Sequence, residues 1–380
     1  MVRHPVIAAV AGVLAVLPAM PTALLPAVPA AAAPATSLRC PTAANATSAV
    51  AREPTWSHHW LAAERLAPHT GAGITVAVVD TGVNVTHPQL AGRVLAGYDV
   101  IRDRAGATVD HTGHGTAVAS IIAAKPMPNT ALLGLAPGVR ILPVRVSDCA
   151  RTVLDRDVDP VHLADGIRWA ADHGARVVNV SLAVPKNHSG LRAAIAHALR
   201  RGVVVVAATG DARTSPTSYP AAYPGVIAVG ALDEAGNVTG IRSTMDLVAP
   251  GDEVLAAAPR AGHIIWAGTD AAAPVVSATA ALVRSALPKA TVDEVRARLT
   301  NTATPIANGP GAVDPYRALR EMLASPTPVP QVVMDLRQPE RPESPWPGRA
   351  GPWAGLLGAG AVLVLVLLWL RSRWRTAGGG

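Results

Sequence analysis

The stretch ITVAVVD, residues 74–80, decides the fold of this chain. It is a continuous apolar run of mostly β-branched residues, typical of a strand that is buried on both faces of a sheet. Similar runs, separated by helical patterns, recur at 140–148, 176–182, 203–210 and 225–232. Strands that alternate with helices predict a single α/β domain in which helices cover both faces of a mostly parallel sheet.

Two helices carry end signals in the sequence. The helix over 189–202 is expected to begin at Ser189 and to end at Gly202, because glycine readily adopts the left-handed conformation that ends helices. Thr291 is expected to begin a further helix and to pair with Glu294 in the reciprocal hydrogen bonds of a capping box.

Composition excludes one class of partner. The chain has 380 residues and a formal net charge of +7, but its arginines are scattered along the sequence. No basic stripe interleaved with aromatic residues is present, which argues against a nucleic acid partner. No sequence pattern indicates a cofactor or a dedicated metal site.

Apolar segments near the two ends predict export and membrane anchoring. Residues 1–33 combine a basic start, a short apolar run and small residues suited to cleavage, which indicates a signal peptide; an uncleaved anchor is the alternative. Residues 353–370 carry no charge and would span about 27 Å as a helix, close to the hydrocarbon thickness of a bilayer. The arginine-rich tail, 371–380, should stay cytoplasmic. We therefore expect a single-pass cell-membrane protein with an extracytoplasmic main domain.

Between these segments the composition changes twice. Residues 34–53 form an irregular extension, residues 54–323 the folded domain, and residues 324–352 a Pro-rich, charged linker, which predicts a semi-rigid tether. The only cysteines of the sequence are Cys40 and Cys149. Disulfides persist outside the cytoplasm, so a Cys40–Cys149 bond would join the extension to the domain; two free thiols are the alternative.

The residues at the carboxyl ends of the strands are the candidates for chemistry, because open parallel sheets bind ligands there. Asp80 ends the first strand, where an unpaired carboxylate would be costly. His114 begins the next helix, whose N-terminus disfavours an imidazolium unless a carboxylate balances it. An aspartate that orients a histidine is two-thirds of a catalytic triad, although either residue alone could equally be structural.

Three segments resemble the Asp, His and Ser boxes of the subtilase family of serine endopeptidases: VAVVDTGV (76–83), HTGHGTAVAS (111–120) and GTDAAAPVVSA (268–278). RVVNVSLA (176–183) resembles the family's substrate-pairing strand, and AATGDA (207–212) resembles its oxyanion-hole segment. The architecture is similar to that of mycosins, the membrane-anchored subtilases of type VII secretion systems. The resemblance implies a subtilisin-like three-layer α/β/α fold and a place at a secretion membrane complex.

The resemblance also assigns roles. It implies that Asp80 orients the imidazole and that His114 is the general base. It places Asp270 at the position of the nucleophilic serine and Asp211 at the position of the oxyanion-hole asparagine. A carboxylate is a poor nucleophile toward an amide, and loss of the nucleophile typically costs about 10⁶-fold in kcat. An ionised Asp211 would offer no hydrogen-bond donor, a loss of about 10²–10³-fold.

The same resemblance predicts a substrate groove formed by Val180, Ser181 and Leu182, which could bind a peptide. Ala183 stands where the family has a glycine, and Ala273 stands where serine or threonine is common.

Other interpretations of Asp270 remain open. At a helix N-terminus a carboxylate accepts backbone N–H groups, and beside His114 it would form an ion pair that raises the pKa of the imidazole. Thr269 and Ser277 are the nearest hydroxyl groups, and both are poor substitutes for the nucleophile. Asp270, Asp211 and His114 could also attract a cation.

Two hypotheses follow from the sequence. The first is a pseudoprotease that serves as a structural or binding subunit. The second is an active serine endopeptidase that cleaves exported substrates. The residues favour the first hypothesis, and the family resemblance favours the second.

Overall fold

The computed structural model describes four ranges of the chain: 49–149, 158–210, 217–240 and 245–321. Cys40, Asp211 and the predicted signal peptide, linker and membrane helix lie outside these ranges. Within them, no helix is both long and apolar enough to cross a membrane. The membrane topology and the Cys40–Cys149 bond therefore stay predictions.

A nine-stranded, mostly parallel sheet forms the centre of the described domain. Its strands are β1 (Thr75–Asp80), β2 (Tyr98–Asp99), β3 (Arg104–Ala105), β4 (Arg140–Arg145), β5 (Val177–Val180), β6 (Val204–Ala208), β7 (Ile227–Leu232), β8 (Val238–Thr239) and β9 (Leu247–Pro250). The order is β3-β2-β4-β1-β5-β6-β7-β8, with β9 also paired to β7. The pairs β2–β3 and β7–β8 are antiparallel. A separate hairpin joins β10 (Val254–Ala257) to β11 (His263–Trp266).

Helices cover both faces of the sheet, as predicted. The helices are α1 (Trp56–Leu61), α2 (His114–Ala123), α3 (Pro160–Asp172), α4 (Ser189–Arg200), α5 (Thr269–Ala286), α6 (Val292–Asn301) and α7 (Pro315–Arg320), and a 3₁₀ turn covers Ala63–Leu66. In β1, Val76 and Val78 pack in one hydrophobic core with α2 and α5. Ala77 and Val79 pack in a second core with α3 and α4. This alternation follows from the two-residue period of a strand and explains the continuous apolar run.

The helix ends agree in part with the sequence. The capping box of α6 is confirmed, since Glu294 N–H donates to the Thr291 hydroxyl at 3.2 Å and Thr291 N–H donates to the Glu294 carboxylate at 2.7 Å. The expected start of α4 at Ser189 is confirmed, whereas the helix ends at Arg200, two residues before Gly202. Ser189 is the first helical residue, and the ring of His188 before it accepts from Leu191 N–H at 3.4 Å.

The end of the N-terminal extension is held by a buried histidine, His263, at the start of β11. Gln89 donates through its amide nitrogen to the carbonyl of Leu132 at 2.7 Å, so its oxygen must accept from His263 Nε2, which lies 2.6 Å away. His263 Nδ1 is therefore unprotonated and accepts from Ala51 N–H at 2.9 Å. A neutral imidazole is required for this contact.

We expect His263 to lower stability in acid. Burial and the charge of the neighbouring His87 lower the pKa of His263. A lowered folded-state pKa means that stability is lost as pH falls below the unfolded value of about 6.5. Urea unfolding should therefore show a larger loss between about pH 7 and about pH 5 in wild type than in His263→Asn. Equal losses in the two proteins would show that the ring is not held neutral.

Candidate active site

Asp80 lies at the carboxyl end of β1 and is fully buried. Its Oδ1 accepts from Thr81 N–H at 2.8 Å and lies 2.7 Å from His114 Nδ1. Its Oδ2 has no hydrogen-bond partner within the described ranges. The buried carboxylate of Asp80 is therefore paired with the imidazole of His114, and the sequence predicts such a partner for an aspartate at the end of an apolar strand.

His114 is the first residue of α2, and Asp110 fixes its position. Asp110 Oδ1 accepts from the Thr81 hydroxyl and from Gly113 N–H, both at 2.9 Å. Its Oδ2 accepts from Thr116 N–H at 2.9 Å and from the Thr116 hydroxyl at 2.7 Å. Asp110 therefore joins the residue after Asp80 to the first turn of the helix that begins with His114.

Arg145 donates hydrogen bonds to the two loops that precede Asp110 and follow Asp80. It is a buried residue at the end of β4, and its Nε donates to the carbonyl of Thr81 at 3.1 Å. Its guanidinium also donates to the carbonyl of Val109 and forms an ion pair with Asp99 at 3.5 Å. Neither Asp110 nor Arg145 is among the residues predicted from sequence. The available signals are an acid four positions before His114 and an arginine that ends an apolar strand.

Asp270 lies in the first turn of α5, on the other side of the imidazole. Its Oδ2 is 3.3 Å from His114 Nε2, and its Oδ1 accepts from Ala271 N–H at 3.1 Å. The predicted capping role is only partly right, because α5 begins at Thr269 and Gly268 is the N-cap residue. A carboxylate in the first turn still meets the positive end of the helix dipole.

The three side chains form a chain of hydrogen bonds in the order Asp80, His114, Asp270. Both imidazole nitrogens face a carboxylate oxygen, and only an imidazolium can donate from both. Burial by itself lowers the pKa of His114. The charge of Asp80 and the hydrogen bonds to Asp270 and Asp80 outweigh burial and raise the pKa well above its ordinary value. An imidazolium has no lone pair, so in this state His114 cannot accept a proton.

Trp266 closes the remaining side of the imidazole. Its ring lies 4.8 Å from that of His114, centroid to centroid, in an edge-to-face arrangement. The side chain of His114 is 10% exposed and that of Asp270 is 13% exposed. Limited solvent strengthens the attraction between the imidazolium and its two carboxylates.

The hydroxyl groups nearest to Asp270 in the sequence, those of Thr269 and Ser277, are held in other contacts. The Ser277 hydroxyl is fully buried and donates to Asn179 Oδ1 at 2.8 Å. The Thr269 hydroxyl accepts from Gly210 N–H at 3.1 Å. Asn179 in turn donates to the Ser181 hydroxyl at 3.0 Å, and Ser181 donates to the carbonyl of Asp270 at 2.9 Å. This polar chain fixes the start of α5 relative to β5.

The predicted groove residues lie beneath the site. Val180 and Leu182 belong to the core between the sheet and α3 and α4, and Ser181 is buried under Asp270. Their side chains do not line an open surface, so a bound peptide could meet this segment only through its backbone. Asp211 lies outside the described ranges. In the ranges 49–149, 158–210, 217–240 and 245–321, no group of three or more His, Cys, Asp or Glu residues is arranged to hold a metal ion.

We expect the stabilisation from His114 to decline as pH rises. Because its pKa is raised in the folded state, protonation stabilises the fold fully below the unfolded value of about 6.5, and the effect is lost as pH rises through the folded pKa. Asp270→Ala should move this loss to lower pH, because one carboxylate is removed. Urea unfolding of wild type, Asp270→Ala and His114→Gln across pH tests this. A wild type whose advantage over His114→Gln does not change above about pH 6.5 would contradict it.

Comparison with known proteins adds a family context. The sequence profile of the Subtilase family, Peptidase S8, matches residues 71–321. Thermitase from Thermoactinomyces vulgaris is 36% identical over 258 residues, which cover 66% of this chain and 90% of thermitase.

Solved structures similar to the fold of this chain include fervidolysin and the MycP3 protease. Fervidolysin from Fervidobacterium pennivorans, a keratinolytic enzyme related to subtilisin, has a TM-score of 0.64 and 32% identity over 71% of this chain; the match spans only 46% of fervidolysin. The MycP3 protease from the type VII (ESX-3) secretion system has a TM-score of 0.62 and 31% identity, over 72% of this chain and 91% of MycP3.

Proposed function

We propose that this chain, which belongs to the subtilase family, is a catalytically inactive member that serves as a structural or peptide-binding subunit of a type VII secretion membrane complex. The observation that carries the proposal is the imidazole of His114, which is hydrogen-bonded on both nitrogens by Asp80 and Asp270. In this proposal Asp270 takes the place of the nucleophilic serine.

Inactivity follows from three deficits. Asp270 offers no hydroxyl from which an acyl-enzyme could form. In this proposal the carboxylates of Asp80 and Asp270 raise the pKa of His114 so that it is protonated at neutral pH, and it then cannot take a proton from an attacking group, which general-base catalysis requires. Asp211, at the position that the family resemblance gives to the oxyanion-hole donor, would repel a developing oxyanion when ionised. Any one of these deficits would slow amide hydrolysis by orders of magnitude.

The proposed location draws on the sequence and on one neighbour. The segments 1–33 and 353–370 are interpreted as a signal peptide and a membrane anchor. MycP3, whose structure is similar over 91% of its length, is a protease of a type VII (ESX-3) secretion system. We propose the same setting here, with the main domain outside the cytoplasmic membrane and Cys40 bonded to Cys149.

A second candidate is an active serine endopeptidase. It is favoured by the many proteases among the relatives, thermitase included. It requires a nucleophile other than Asp270, and Thr269 and Ser277 carry the hydroxyl groups nearest to it in the sequence.

A serine-directed phosphonate probe separates the two candidates. We expect no labelling of the purified full-length chain at any pH at which it is folded, with thermitase as the positive control. Labelling that disappears in His114→Ala would overturn the proposal. Its loss in Thr269→Ala or Ser277→Ala would identify the nucleophile, and its persistence in both would reveal an unrecognised one.

The structural role needs its own experiment. In cells that lack the chain, we expect Asp270→Ala to restore secretion and assembly of the membrane complex as well as wild type does. Restoration by wild type but not by Asp270→Ala would show that chemistry at position 270 matters. Failure of wild type and variant alike to associate with any secretion complex would refute the location.

A further inference from the structure

A mostly apolar cavity of about 600 Å³ lies at the end of α5 opposite to Asp270. Because α5 has 18 residues and rises ~1.5 Å per residue, the cavity is about 25 Å from the candidate active site. Val283, Leu287 and Ala290 form its apolar wall, and Lys289, Glu294 and Arg298 also line it. Its size matches pockets of about 300–1,000 Å³ that hold small ligands or a few side chains.

The wall of the cavity exposes a large aliphatic side chain. Leu287 is 42% exposed, although it lies beside Val283, which is buried in the main core. Apolar surface in a concave site gains free energy when it is covered. A group that covers the exposed side chain of Leu287 would therefore be stabilised in this cavity.

The described part of the chain ends in contact with a residue that lines this cavity. Glu321 follows α7, and its carboxylate accepts from Arg317 at 3.1 Å. The backbone carbonyl of Glu321 accepts from Arg298, which is itself one of the residues that line the cavity. Two arginines therefore fix the point at which the chain passes on to residue 322.

The next residues have the composition that the cavity requires. Met322, Leu323 and Ala324 follow Glu321 directly, and Val329 comes after a Ser-Pro-Thr-Pro stretch. At ~3.5 Å per residue, the chain from Glu321 to Leu323 can span at most about 7 Å, so Leu323 is tethered close to the residue through which Glu321 contacts the cavity lining.

We propose that segment 322–329 turns back and fills this cavity, with Leu323 packed on Leu287. A tethered segment competes at an effective concentration in the millimolar range, which favours it over a separate molecule. A stable interface with a second copy of the chain would involve about 20–30 residues on each side, whereas eight described residues line this cavity. The free tether of the proposed membrane anchor then starts at residue 330. It loses the six residues 324–329, about 19 Å at ~3.1 Å per residue.

Hydrogen exchange of the full-length chain, followed by mass spectrometry, tests the proposal. We expect amides of segment 322–329 to exchange at least tenfold more slowly than amides of residues 338–345 in the same molecule. Leu323→Asp and Leu287→Asp should each remove this protection. Leu336→Asp, the same substitution further along the linker, is the matched control and should leave it unchanged.

The other occupants give different results. Exchange of 322–329 as fast as that of 338–345 would overturn the proposal. Protection that rises with protein concentration would indicate a second copy and would also overturn the proposal. Protection seen in phosphatidylcholine vesicles but not in detergent micelles would indicate lipid and would overturn it as well. If the β1 amides of the Leu287→Asp variant exchange as slowly as those of wild type, the variant is folded. Loss of protection in segment 322–329 then reports on the cavity alone.

Discussion

Replacing Asp270 with serine and Asp211 with asparagine in the same chain should create measurable hydrolysis of a chromogenic peptide. Serine restores a hydroxyl, and loss of the Asp270 carboxylate removes one of the two charges that raise the pKa of His114. Asp80 remains to orient the imidazole at 2.7 Å. Since removing a nucleophile typically costs about 10⁶-fold in kcat, the gain over wild type should be of that order once the oxyanion donor is present.

The single variants define the controls. Asp270→Ser alone should stay about 10²–10³-fold below the double variant, because Asp211 still supplies no donor. Asp211→Asn alone should remain inactive, and adding His114→Ala to the double variant should abolish the gain. A folded double variant with no activity would contradict the view that these two positions silence the site.

Asp80→Ala should lower the free energy of unfolding by about 3–5 kcal/mol near pH 6. The substitution leaves the buried imidazolium of His114 without its closest counter-charge, which is the costly way to break a buried ion pair. Asp270→Ala should cost less, because Asp270 is 13% exposed and its contact with His114 is longer, at 3.3 Å. Urea unfolding with a His114→Gln background completes a double-mutant cycle for each carboxylate.

Each double-mutant cycle tests one of the two carboxylate contacts of His114 on its own. If Asp80→Ala costs the same in wild type and in His114→Gln, the Asp80–His114 pair contributes nothing and the loss comes from the other contacts of Asp80, which include its hydrogen bonds with the N–H and the hydroxyl of Thr81. If the Asp270 cycle shows no coupling to His114, the imidazole is not held from both sides.

The sequence predicts the fold, Asp80 and His114 from local rules, whereas Asp270 is assigned to the site by the family resemblance. The apolar run of β1 requires burial on both faces, and Asp80 at its end lies where ligands of parallel sheets bind. His114 begins the following helix, so its distance from Asp80 is set by the topology. The raised pKa of His114 was predicted from the neighbouring carboxylates, and its direction in the folded protein is the same.

The remaining features depend on contacts between distant parts of the chain. Asp110 accepts hydrogen bonds from Thr81, which follows β1, and from Thr116 in the first turn of α2. Arg145, at the end of β4, donates to the carbonyl of Thr81. Neither contact has a periodic pattern or a motif of its own. The groove formed by Val180, Ser181 and Leu182 stays a prediction: the structure buries the side chain of Ser181 under Asp270, and the backbone of this segment could still pair with a peptide.

The direct test of the account is the protonation of His114 in the folded chain, observed by NMR of ring-¹⁵N-labelled protein across pH. We expect Nδ1 and Nε2 both to carry hydrogen at neutral pH, the pKa of His114 to lie well above its ordinary value, and Asp270→Ala to lower this pKa. A neutral ring at pH 7, with an ordinary or depressed pKa, would leave the general base intact and contradict the proposed inactive state.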